Sequence, residues 1–182
     1  ATNADHWKHT DKDDRRDFVL RVSEAKKGDH PYWRKLYQAI DGSEVEAMVH
    51  DLLKHDLSAF NVRNKPETAE LRVQKIQSLG IIEEWWHDRL HAGFVFEDDA
   101  KWPSDIGTQQ AVNDLKELIT RASYSRITPK IFLDKMKVIC PSSEKTQRLI
   151  NGSRQRGLSI PPLENARAEF QNWFGGPIDW EA

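Results

Sequence analysis

The chain of 182 residues is 38% hydrophobic with seven Trp and one Cys, and its 27 Lys and Arg stand against 29 Asp and Glu for a net charge of -2. This is enough apolar material for one domain of ordinary size or two small ones, and no apolar run approaches the roughly 18 residues that would cross a bilayer, which excludes a helical membrane span; no membrane partner is expected. The lone Cys140 excludes an intrachain disulfide framework and a cysteine-rich zinc site; since the opening "ATNADHWKHTDKDD" also lacks an apolar signal region, the expected compartment is a reducing cytosol.

Phe18, Leu20 and Val22 alternate with polar neighbours in "DFVLRVS", which predicts one short strand. A lone strand needs partners that the next hundred residues do not offer, so the chain is expected to begin inside a larger protein. From Tyr32 the period becomes helical. Trp33, Leu36, Tyr37 and Ile40 form one stripe, "DGS" at 41 to 43 is a break, and Val45, Met48, Val49, Leu52 and Leu53 form a second stripe, predicting two antiparallel helices. Asn64 or Lys65 before Pro66 suits another helix start, and an apolar face continues through Leu71, Ile76, Leu79, Ile82, Trp85, Trp86 and Leu90 to Gly93, with Gly80 as a bend or interruption.

The stretch "GFVFEDDAKWPSDIG" combines Gly, Pro and carboxylates, and predicts a boundary over 94–102. Beyond it, Val112, Leu115, Leu118 and Ile119 define one helix. "TPKIFLDKMKVIC" defines the next, with Thr128 as N-cap, Pro129 at the first helical position and Phe132, Met136 and Ile139 inward; Lys130, Asp134 and Lys137 then face outward with Lys135 on the flank. In "QRLINGSRQRGLSIPP" the Asn151-Gly152 pair between two β-capable runs predicts a two-residue hairpin decorated by Arg148, Arg154 and Arg156. Pro161 and Pro162 open a last helix with Leu163, Ala166, Phe170, Trp173 and Phe174 inward, stopped by Gly175-Gly176.

The net charge hides an asymmetry. Residues 121 to 160 hold nine Lys or Arg against Asp134 and Glu144, a local +7, so the rest of the chain carries -9. A basic module on an acidic body is the charge signature of a phosphate-binding surface. The succession helix, helix, basic hairpin is that of a winged helix, in which the second helix lies in a DNA groove and the hairpin touches the backbone. Arg126, Lys130, Lys135, Lys137, Arg148, Arg154 and Arg156 are the expected nucleic-acid contacts. The outward helix face carries no Asn or Gln for bidentate adenine reading, so backbone contact with weak sequence preference is expected. A protein-docking surface for an acidic replication partner is the alternative.

Three patterns resemble catalytic motifs and are set aside. His87 and His91 lie four apart, but Asp88 stands where a zinc protease has its general-base Glu, and no third ligand is evident, so no metal is expected. "FVFEDD" at 94 to 99 imitates a magnesium-binding strand, yet no Gly in the chain is followed by Lys, so no phosphate loop accompanies it. "DDRR" at 13 to 16 reads by itself as a charged turn.

Several long, spaced segments carry a family resemblance: "TNADHW" followed by "DDRRDFVLRVS", then "DLSAFNVRNKPETAE" leading into "SLGIIEEWWHDRL", and finally "PPLENARAEFQNWFGGPIDW". In this order they resemble the C-terminal region of phage and prophage primase-helicases, whose ATPase core belongs to the superfamily 3 helicases. The resemblance implies that Asn3 falls at a polar sensor of the γ-phosphate and that Arg15 or Arg16 falls at an arginine finger. It also implies a hexameric parent in a bacterial host, binding ATP and magnesium through a phosphate loop and magnesium-binding strand that are absent here; the fragment alone is expected to be monomeric, inactive on ATP and free of cofactors. The expected fold is mainly α with a small β component: residues 1–31 as the end of an AAA+ ATPase core, 32–93 as a helical subdomain at that core's edge, 94–102 as a linker, and 103–182 as a winged-helix-like domain for single-stranded or duplex DNA.

Overall fold

The computed structural model describes residues 8–10, 17–61, 63, 64, 66, 68–118, 127–150 and 153–181. Among them the fold is mainly helical, with seven α-helices and one three-stranded antiparallel sheet. The chain divides into two compact units, one of residues 15–71 and one of residues 1–14 with 72–182.

In the smaller unit a 3-10 turn, Glu24–Lys26, precedes α1 (His30–Ile40) and α2 (Glu44–Lys54). Asp29 caps α1: its Oδ1 accepts from the Tyr32 amide at 3.0 Å, and Pro31 occupies the first turn, where a missing N–H costs nothing. That amide, followed by the Lys26 ammonium, lowers the Asp29 carboxyl below its usual range. The stretch expected as a strand, Phe18 to Val22, is irregular backbone. No described strand lies beside it to take its hydrogen bonds, and alternation alone cannot hold a lone strand. The next helix, α3 (Ala69–Gln77), begins later than Asn64 or Lys65, because Thr68 supplies the cap, its Oγ1 accepting from the Leu71 amide at 3.2 Å.

The larger unit holds the core. After Gly80, α4 (Ile81–Ala92) runs to Gly93, whose left-handed φ of 77° ends the helix while its amide bonds Arg89. There follow β1 (Asp105–Gly107), α5 (Thr108–Leu118), α6 (Pro129–Ile139), β2 (Glu144–Ile150), β3 (Ser153–Ser159) and α7 (Leu163–Phe174). The sheet order is β1-β3-β2, with Ile106 opposite Leu158, and Lys145 opposite Leu158 on the other side. Trp85, Trp86 and Leu90 of α4 are buried in the same cluster as Phe132, Met136 and Ile139 of α6 and Phe170 and Phe174 of α7. Trp85 meets Phe132 edge-on at 5.6 Å, the favoured arrangement of two ring quadrupoles.

The cut between units therefore falls in the first turn of α3 rather than over 94–102. Val95 in that expected linker is fully buried, Phe96 donates its amide to Asp99 Oδ2 at 2.9 Å, and the Trp102 indole donates to Pro161 O at 2.8 Å. Gly and Pro mark turns, but apolar residues between them fasten this turn to the core.

Candidate nucleic-acid interface

Helix α6 is built as its sequence dictates. Thr128 Oγ1 accepts from the Ile131 amide at 3.3 Å, Pro129 stands at the first position, and Phe132, Met136 and Ile139 are buried. Lys130, Asp134 and Lys137 are thereby turned to solvent, with the half-exposed Ile131 and Val138 beside them.

Strands β2 and β3 pair from Glu144 with Ser159 to Ile150 with Ser153, so two residues connect them, as the Asn151-Gly152 spacing predicts; those two residues lie outside the described ones. Strand alternation sets the chemistry of each ribbon face. Lys145, Gln147, Arg154, Arg156 and Leu158 share one face, since 154, 156 and 158 alternate and 145 and 147 stand directly opposite 158 and 156. Leu158, buried at the base of this face, fixes its direction: it lines a cleft with Leu133, Asp134 and Lys137 of α6 and with Ser143, Glu144 and Lys145 at the start of β2. The cleft has a volume of about 340 Å³. The exposed Arg154 and Arg156 extend the same face beyond it.

The expected contact residues do not behave alike. Lys130, Arg154 and Arg156 are exposed, and among the described residues no ion pair engages their side chains. Lys135 differs: its Nζ lies 2.5 Å from Oε1 of Glu83 in α4, a carboxylate almost entirely buried, so its charge is spent inside the unit. Lys137 Nζ donates to the carbonyls of Pro141 and Ser143, at 2.5 and 3.2 Å, which ties the end of α6 to the start of β2 in the manner of a cationic C-terminal cap. Arg148 lies in β2 opposite Gln155. Arg126, Asn3, Arg15 and Arg16 lie outside the described residues. Lys145 is the residue the sequence reading left off its set of contacts; pairing back from the two-residue turn would have put it on the Arg154 and Arg156 face.

The other candidate groups are engaged elsewhere. His87 packs against Trp180 at 5.7 Å and Phe170 at 6.0 Å, with Asp88 Oδ1 3.2 Å from its Nδ1. Among the described residues no cluster of three or more His, Cys, Asp or Glu could hold a metal. Cys140 is buried at the end of α6, and burial, followed by the charge of Glu169, pushes its thiol up to about 12. No helix among the described residues is long and apolar enough to cross a membrane.

No family model, curated protein or solved structure matches the chain.

Proposed function

We propose that the unit formed by α4 to α7 is a nucleic-acid-binding module of winged-helix type that contacts the DNA backbone through α6 and the β2–β3 hairpin. The observation that carries the reading is the row of exposed cations, Lys145, Arg154 and Arg156, without an ion-pair partner among the described residues, on the hairpin face that meets α6, with Lys130 at the start of that helix. Helix, strand, two helices and a hairpin, in the order α4, β1, α5, α6, β2, β3 with the short strand paired to β3, is the element order of a winged helix and supports the reading. Exposed cations on one face neutralise phosphates and release their counterions, which gives affinity without base selection.

The chain is then the C-terminal part of a phage-type replicative primase-helicase, and this attribution rests on the resemblance of its segments. ATP, magnesium, the hexamer and the roles of Asn3, Arg15 and Arg16 belong to that whole protein. The test is fluorescence anisotropy of labelled single-stranded and duplex oligonucleotides at two salt concentrations. Absence of binding at about 50 mM salt, where phosphate contacts are least screened, sinks the proposal. Ile131 and Val138, half-exposed on the same side of α6, favour one second reading, a docking surface for an acidic protein. That reading predicts no oligonucleotide binding at either salt concentration.

A further inference from the structure

The cleft at the base of the hairpin face contains chemistry that phosphate contact leaves unused. It lies within the larger unit, between α6 and the start of β2. Much of its wall is apolar: Leu133 is half-buried, Leu158 is buried, and Lys137 contributes its stem, since its ammonium is held by the Pro141 and Ser143 carbonyls. Asp134 of α6 and Lys145 of β2 are exposed and line it, and neither side chain has a hydrogen-bond or ion-pair partner among the described residues. Glu144 also lines it, but strand alternation puts its side chain on the opposite ribbon face. A carboxylate on a phosphate-binding face repels the polyanion which that face attracts, so Asp134 is favourable there only towards a hydrogen-bond donor.

We propose that the cleft takes one unstacked guanine of a single strand, whose donor edge meets Asp134 and whose acceptor atoms meet Lys145. The inference rests on the nucleic-acid reading and adds to it one position at which the base counts. Hydrogen-bond complementarity selects this occupant. A carboxylate only accepts and an ammonium only donates. Among the four bases, guanine alone sets two donors side by side on its Watson–Crick edge, N1–H and N2–H, with the acceptors O6 and N7 beyond them. Cytosine and adenine place a ring acceptor next to the amino group, and thymine flanks its one N–H with carbonyls, so each turns a lone pair towards the carboxylate. Charge brings the strand there: Lys145 stands directly opposite Leu158, so the row from Arg154 through Arg156 ends at the cleft. Size and access favour one base over a duplex. A volume of about 340 Å³ is near the lower end of small-ligand sites, roughly 300–1,000 Å³, and paired bases have their ring faces stacked and their edges engaged.

The test is anisotropy of the 182-residue chain with labelled oligothymidine strands of one length at about 50 mM salt. Each strand carries at its centre thymine, guanine or hypoxanthine, which is guanine without its amino group. The guanine strand should bind about tenfold more tightly than the all-thymine strand, with hypoxanthine between them. Asp134→Ala should erase that ratio while all-thymine binding holds or tightens, because an acid is lost from a basic face. Its melting temperature should not move, since the side chain is exposed. Pairing the guanine into a duplex should also erase the preference. Free deoxyguanosine monophosphate, which lacks neighbouring phosphates, should not displace the strand at the strand's own concentration. Equal affinity for the guanine and thymine strands overturns the inference and leaves phosphate binding standing. A preference that survives Asp134→Ala or duplex formation, or displacement by the free nucleotide, also overturns it. No binding of any strand overturns the nucleic-acid reading and this inference together.

Discussion

Replacing Arg154 and Arg156 together by Ala tests the hairpin face most directly. Both side chains are exposed and without an ion-pair partner among the described residues, so their loss leaves the core and the β2–β3 ladder untouched, and the melting temperature should not move. If Lys130, Lys145, Arg154 and Arg156 each neutralise one duplex phosphate, log affinity falls against log salt with a slope of about -3.6, which is ~150-fold between 50 and 200 mM. The double variant keeps two contacts, so its slope flattens to about -1.8 and the loss over the same range to ~12-fold. Lys135→Ala is the matched control: it also removes one positive charge, but one already paired with the Glu83 carboxylate, so the slope should stay near that of the unmodified chain. The readout is anisotropy of a labelled duplex at four or more salt concentrations. An unchanged slope in the double variant, or a Lys135→Ala slope flattened as much as that of an exposed cation, refutes the assignment of the hairpin face.

Other expectations concern the platform beneath that face. Thr128→Ala removes the cap of α6 and should lower stability by about 1 kcal/mol, measured by urea unfolding. Asp114 Oδ2 accepts from the buried Trp85 indole at 2.6 Å and from Arg89 Nη2 at 2.7 Å, so Asp114→Ala strands two donors and should cost about 2 kcal/mol, with Asp114→Asn costing less because it keeps an acceptor. The Cys140 thiol, raised from 9.0 to about 12, stays protonated in the folded chain while an unfolded chain would ionise it. Its contribution to stability is therefore complete below about pH 9 and is lost as pH rises towards 12. Alkylation near pH 8 should be slow and limited by opening of the fold; labelling as fast as that of a free thiol would contradict this burial.

What the sequence disclosed and what it withheld divide by range of interaction. Thr128, Pro129 and the positions 132, 136 and 139 specify α6 through contacts within four residues, and the hairpin register follows from a turn two residues long; both were legible. Strand β1 was not. "DIG" at 105 to 107 is too short to show alternation, and only its pairing with Gly157 to Ser159, some fifty residues later, makes it a strand. The reverse failure occurred at Phe18, Leu20 and Val22, where alternation was present and a partner strand among the described residues was not. Trp85 and Trp86 continued a helical stripe from Leu71 and so read as part of an N-terminal subdomain, although their rings are buried with Phe132 and Trp102. At the interface, spacing put Lys135 on the flank of α6, but the carboxylate that claims it is in a helix fifty-two positions earlier.

That distinction between spent and available charge orders the candidate contacts more sharply than composition does. On the outer side of α6, Asp134 stands between Lys130 and Lys137, and Lys137 is committed to two carbonyls at the end of the helix, so little net positive potential is left there. Glu144 lines the cleft but falls on the opposite ribbon face by strand alternation, and the outer positions of the hairpin face carry Arg154 and Arg156 without a counter-ion among the described residues. Field from unopposed charges reaches about a Debye length, near 10 Å at 0.1 M salt, whereas a paired cation acts as a dipole and fades much sooner. An approaching polyanion is therefore drawn to the hairpin before it meets α6. On the proposed reading the helix is a second contact, through the exposed Lys130, after the phosphates have met the hairpin.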